Sequence, residues 1–108
     1  MKEMSDKMKE RIQKWLDGLD EQERYQAELL DSYFYFRRNL PDEDPGLGKA
    51  VADYKTTDEI IDDLLPMMNV SKDVVTGWMR AHDYHFTTAA DGTPRWAIWR
   101  FMAMDALT

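Results

Sequence analysis

Residues 56–101 read TTDEIIDDLLPMMNVSKDVVTGWMRAHDYHFTTAADGTPRWAIWRF, and this stretch decides the fold. Thr56 and Glu59 have the spacing of a capping box, in which each side chain satisfies a free amide at a helix start. Ile60, Ile61, Leu64, Leu65 and Met68 follow at helical spacing. Pro66 clashes with the carbonyl four residues back unless it lies in or after the last turn, so the helix ends or bends near Leu65. Asn69 and Val70 make a turn, and Ser71 caps a second helix whose inner face is Val74, Val75, Trp78 and Met79. That helix ends near His82. Tyr84 to Thr88 reads as a strand, Asp91-Gly92 as a tight turn, and Arg95 to Phe101 as a returning strand. Trp96 and Ile98 face one way; Ala97, Trp99 and Phe101 face the other. Both faces are apolar, so this strand is covered on both sides or feeds a partner surface.

Upstream, Met4, Met8, Ile12, Trp15, Leu16 and Leu19 form one apolar stripe of an amphipathic helix. Ser5 is its N-cap and Gly18 its stop, since glycine tolerates the left-handed conformation that ends helices. The stripe serves a core or the seam of a homodimer through this first helix. Asp20 and Glu23 repeat the capping-box spacing, and the periodicity predicts a helix from there to about Asn39. Arg37 and Arg38 then complement the dipole in its last turn. The break at residues 18–20 favours an antiparallel pair over 1–40; a single long helix is the alternative. Residues 41–48 hold two prolines and two glycines and read as a loop, with one helical turn allowed over Lys49–Tyr54. The ending from Met102 to Thr108 is apolar and uncapped. These readings give one domain, 1–108: a helical pair (1–40), a loop (41–55), a helix-turn-helix (56–82) and a hairpin (84–101). The class is mostly α, α+β.

Composition sets bounds. A chain of 108 residues suits one domain and buries roughly two-thirds of its unfolded surface, enough for a single core. The absence of cysteine excludes disulfides and thiolate metal sites. No apolar run approaches the ~20 residues of a membrane span, and the start of the chain is not a secretory signal, so a cytoplasmic protein is expected. The net charge is −7, with 9 basic and 13 acidic groups in 1–54 and 5 basic and 8 acidic in 55–108. Neither half is a basic module, which disfavours nucleic acid as a partner.

The order of elements from residue 20 onward resembles the winged helix-turn-helix superfamily. The resemblance is carried by Thr57–Leu65, Asn69-Val70-Ser71, Val74-Val75 with Trp78-Met79, and the hairpin at 84–101. It implies that the Val-Ser pair closes the turn, that 71–82 is the helix presented to DNA, and that the hairpin is the wing. The candidate nucleic-acid contacts are then Lys72, Thr76, Arg80 and Arg95, with Arg100 at the margin. The sequence departs from DNA readers of this class. The segment between Ile61 and Val70 is longer than the compact helix-turn-helix spacing and contains Pro66, the presented helix carries Asp73 and Gly77 beside only two basic groups, Lys72 and Arg80, and Asp58, Glu59, Asp62 and Asp63 would repel a phosphate backbone.

Other motifs are read against plainer accounts. His82 and His85 lie three apart, but a zinc site needs a third ligand and none stands out; a solvent-facing turn explains them. Asp42 to Gly46 lacks the glycine and glutamate of a calcium loop, where Leu47 and Asp53 stand instead. The acids at 58–63 are explained by the helix dipole. No phosphate loop and no convergent acid, base and nucleophile is found, so no catalytic, metal or cofactor residue is assigned. Tyr33 to Phe36 places four aromatic residues in four directions of a helix. Together with the last strand they supply the candidate protein interface: Tyr33, Tyr35, Trp96, Trp99 and Phe101. The expectation is a non-enzymatic binding module working through protein contacts. The alternatives are a transcriptional regulator reading DNA with 71–82 and an acidic inhibitor seated in another protein's nucleic-acid groove.

Overall fold

The computed structural model describes residues 4–102, and the fold is α+β. Residues 103–108, most of the apolar ending, lie outside the described residues. The first helix, α1 (Asp6–Asp17), is capped by Ser5, whose hydroxyl accepts from the Met8 amide at 3.2 Å. Gly18 does end it, but with φ −85° rather than in the left-handed conformation. The second, α2 (Glu21–Tyr33), opens on the Asp20–Glu23 capping box. It stops at Tyr33, not near Asn39, and Arg37–Arg38 form a short strand, β1. Tertiary contact overrides helical periodicity here: Phe34 turns into the core, and Arg37 and Arg38 pair with Arg100 and Trp99.

The segment read as a loop and helical turn contains strands β2 (Glu43–Asp44) and β3 (Gly48–Ala52). Helix α3 (Thr57–Leu64) carries both hydrogen bonds of its capping box and ends before Pro66. Helix α4 (Lys72–Ala81) starts on Ser71. It is the centre of the molecule: α1, α2 and α3 all pack on it. Thus α1 and α2 meet α4 rather than simply pairing with each other. The stripe residues Trp15, Leu16 and Leu19 pack against the core cluster. Close approach of α1 requires Gly77, where a β-carbon would overlap the Trp15 indole.

Beyond α4, β4 (Phe86–Thr88) pairs with β5 (Pro94–Trp96) across the Asp91-Gly92 turn, where Gly92 has φ +85°. The hairpin does not continue to Phe101. A separate strand, β6 (Trp99–Phe101), lies between β1 and β3 in a four-stranded sheet of order β1-β6-β3-β2. The partner changes at residues 97–98: the Ala97 amide donates to the His85 carbonyl at 2.8 Å, and the Ile98 carbonyl accepts from Asp53 at 2.8 Å. Coverage on both faces accounts for the doubly apolar pattern, and Trp96, Ile98 and Phe101 are fully buried.

Candidate functional site

The C-terminus of α4 builds one wall of a cleft. Asp83 adopts φ +64°, the left-handed conformation usual one residue past a helix end. The Tyr84 amide then donates to the Met79 carbonyl at 2.8 Å and the Asp83 amide to that of Arg80 at 3.1 Å. This reversal drives Tyr84 inward against Phe34, ring centroids 5.0 Å apart. It also parts the two histidines. His82 stacks on Trp78 at 3.7 Å, whereas His85 is exposed and meets Asp83 at 3.2 Å. No group of three or more metal-ligating side chains forms among the described residues.

Phe34, Trp78 and His82 form a continuous stack, with the Phe34–Trp78 centroids 4.5 Å apart. Such pairs contribute roughly 0.5–1.5 kcal/mol each beyond area burial. The Trp78 indole donates to Asp31 at 2.9 Å. His82 Nδ1 lies 2.9 Å from the Trp78 carbonyl, which can only accept, so this nitrogen carries the proton. Burial holds the His82 pKa below its ordinary value, against the helix carbonyl and Asp31.

Arg37, Arg38, Leu40 and Asp42 form the facing wall, and Met4 and Met8 of the α1 end close one side. The cleft's volume is about 530 Å³, within the roughly 300–1,000 Å³ of small-ligand clefts. Leu40 and Met4 leave apolar surface on the rim, 58% and 46% exposed. The Arg37 guanidinium lies 3.9 Å from the Tyr33 ring and donates to the Tyr33 carbonyl. Arg38 donates to the carbonyls of Tyr35 and Arg37 and approaches Asp42 at 4.0 Å. Sequence reasoning missed this site. Its residues come from four separate segments; the one local signal was an arginine pair following an aromatic run.

The sequence-derived interface does not form one surface. Trp96 and Phe101 are core residues, 1% and 0% exposed, and offer nothing to a partner. Tyr33 is half-buried and donates its hydroxyl to Asp63, which also holds Lys55 at 3.2 Å. Burial and that bond raise the Tyr33 pKa. Burial would raise the Asp63 pKa, but Tyr33 and Lys55 outweigh it and hold it low. Trp99 packs edge-on against Tyr54, half-buried. Tyr35 alone of the five is exposed.

The candidate DNA contacts do not converge either. Arg95 binds Glu59 at 2.7 Å, and the Thr56 amide and this arginine keep the Glu59 carboxyl acidic. Lys72 lies 3.4 Å from Asp58. Thr76 is half-buried and Arg80 exposed, while Gly77 between them is under Trp15. Arg100 meets Asp53 at 3.5 Å. Asp42 and Asp44 are also engaged: Asp42 accepts from the Glu43 amide, and Asp44 from the Gly46 and Leu47 amides.

No helix among the described residues is long and apolar enough to cross a membrane. No family model matches the chain, nor does any curated protein or solved structure.

Proposed function

We propose that this chain is a non-enzymatic binding module of winged-helix-like build that acts through protein contacts at the cleft between β1 and the C-terminus of α4. The observation that carries this reading is the open cleft itself: a packed aromatic floor under an apolar rim at Leu40 and Met4. Exposed apolar groups around a concave site mark places where a protein partner or a ligand docks. The winged-helix build is supported by the order α3, α4 and the β4–β5 hairpin, and by the bridge between Lys55, which precedes α3, and Trp96 of the hairpin.

A photoreactive residue in place of Leu40, in the intact chain inside cells, tests the reading. Discrete protein adducts are expected from position 40 and not from Leu65, which is similarly exposed (54%) and outside the cleft. Adducts from position 65 alone would move the interaction elsewhere.

The DNA-reading alternative has thinner support. Arg95 is paired with Glu59, Lys72 lies beside Asp58, and α1 covers part of the helix that would enter a groove. Titration with mixed-sequence duplex DNA is expected to give no binding even at low salt. Tight binding that weakens steeply with salt would favour this alternative. An acidic inhibitor has less support again, because Asp42, Asp58, Glu59 and Asp63 each have a basic neighbour in the chain.

A further inference from the structure

The larger sheet is bounded by β1 and β2; the smaller has Lys55 bridged to β5 on one side and β4 on the other. Alternate residues of an antiparallel edge strand turn their amides and carbonyls outward, where they can recruit another strand. In β1 the outward residue is Arg37, since the Phe36 carbonyl serves Phe101 of β6. Its amide donates to the Phe34 carbonyl at 3.0 Å, and its carbonyl accepts from the Arg38 guanidinium at 2.9 Å. In β2 the outward amide is that of Glu43, and Asp42 Oδ1 accepts from it at 2.9 Å, between Pro41 and Pro45. Both of these edges are closed from within the chain.

The β4 edge is not. The His85 carbonyl accepts from the Ala97 amide at 2.8 Å, and the Ala89 amide donates to the Thr93 carbonyl at 2.9 Å, so residues 85, 87 and 89 face β5. Phe86 and Thr88 therefore turn outward, and their amides and carbonyls make no hydrogen bond among the described residues. Both residues are exposed, and neither charge nor proline occurs from Phe86 to Ala90. The Phe86 ring stacks on Trp96 at 3.9 Å and remains 52% exposed.

We propose that this edge pairs with the β4 edge of a second copy of the chain, antiparallel about a two-fold axis at Thr87. The outward residues flank Thr87 on either side, so the edge is complementary to itself. Phe86 exchanges amide-to-carbonyl bonds with Thr88 of the second copy, and Thr88 with its Phe86. Each aromatic ring thereby gains a β-branched neighbour, a stabilising cross-strand pair. His85 falls opposite Ala89 of the second copy, so no like charges meet along the edge. In a chain of net charge −7, a neutral edge is where two copies approach with least repulsion. None of these residues lines the cleft, and the inference stands apart from the docking reading.

Sedimentation velocity of the full chain from about 10 μM to about 1 mM tests this. So short a pairing belongs with the small, transient interfaces, and a rapidly reversible dimer is expected at the upper concentrations. There the Phe86 and Thr88 amides should exchange hydrogen severalfold more slowly than in dilute solution. Thr88→Pro removes one outward donor from each copy and no bond within the chain. It should keep the unfolding midpoint close to that of the unaltered chain and weaken the dimer about tenfold. Thr87→Lys and Thr87→Glu each set like charges opposite one another across the axis. Each should weaken the dimer, and an equimolar mixture of the two should restore it. A chain still monomeric at about 1 mM, undiminished dimerisation in Thr88→Pro, or no recovery in the mixture would overturn the proposal. Protection that rises with concentration in α1 and not at 86 and 88 would also overturn it, by placing the seam on the first helix.

Discussion

His82 shows how one side chain ties packing to pH. Its ring lies flat on Trp78, close to Asp31 and within the field of Arg11. Burial, the largest influence, depresses its folded pKa, with Arg11 adding to the depression and Asp31 opposing it. The unfolded chain therefore takes up a proton below about pH 6.5 while the folded chain still resists. Stability from this site is complete above that value. It declines as pH falls, until the folded ring also protonates. Urea midpoints measured from about pH 7.5 down to about pH 5.5 should fall, and His82→Phe, which preserves the stack, should flatten the slope. A slope unchanged in the variant would assign the effect to other groups. Asp83 offers a second test. A non-glycine residue at φ +64° costs roughly 1 kcal/mol, so Asp83→Gly should raise stability by about 0.5–1 kcal/mol in urea unfolding. Its backbone carbonyl, which accepts from Asn39 at 2.9 Å, is retained in the variant.

Among the elements, α1 and α4 are held together by the absence of a side chain. Alanine is a better helix former than glycine by about 1 kcal/mol. Gly77→Ala should nevertheless destabilise by about 1–2 kcal/mol, because the new methyl overlaps the Trp15 indole. In a Trp15→Ala background the same change should stabilise, and the two-by-two set of urea midpoints measures the coupling. Additive effects would mean that α1 does not dock through this contact. The helix starts show how much was legible locally. Ser5, Asp20, Thr56 and Ser71 all cap where their sequences predict, because a cap and its amides lie within three residues of each other. Thr56→Ala should cost about 1 kcal/mol on that account, measurable as a lower unfolding midpoint. The end of α2 was not legible, since the contacts that stop it come from Trp78 and β6.

At the scale of the whole molecule, stability is centred on α4. Five of its residues are buried, and α1 has none that is. Segments with few buried contacts open at lower free energy than the core. Amide hydrogen exchange should therefore release α1 at least about tenfold faster than α4. Equal protection would show that α1 opens only with the global unfolding of the chain. The cleft inherits this arrangement, because one side of it is the start of α1 while its floor is α4.

By itself the sequence determined the four helix starts, the end of α3 before Pro66, the Asp91-Gly92 turn and the inner face of α4. Each depends on hydrogen bonds or periodicity among neighbouring residues, which a short window contains. Only the tertiary structure decided that 37–38 and 48–52 are strands, that 94–101 divides between two sheets, and that Tyr84 meets Phe34 and Trp78. Strands of two to five residues carry too few side chains to declare themselves, and their partners lie far along the chain. The same holds for the cleft. Its aromatic floor and its cations become neighbours only when a helix end, a turn and a short strand are packed against α4.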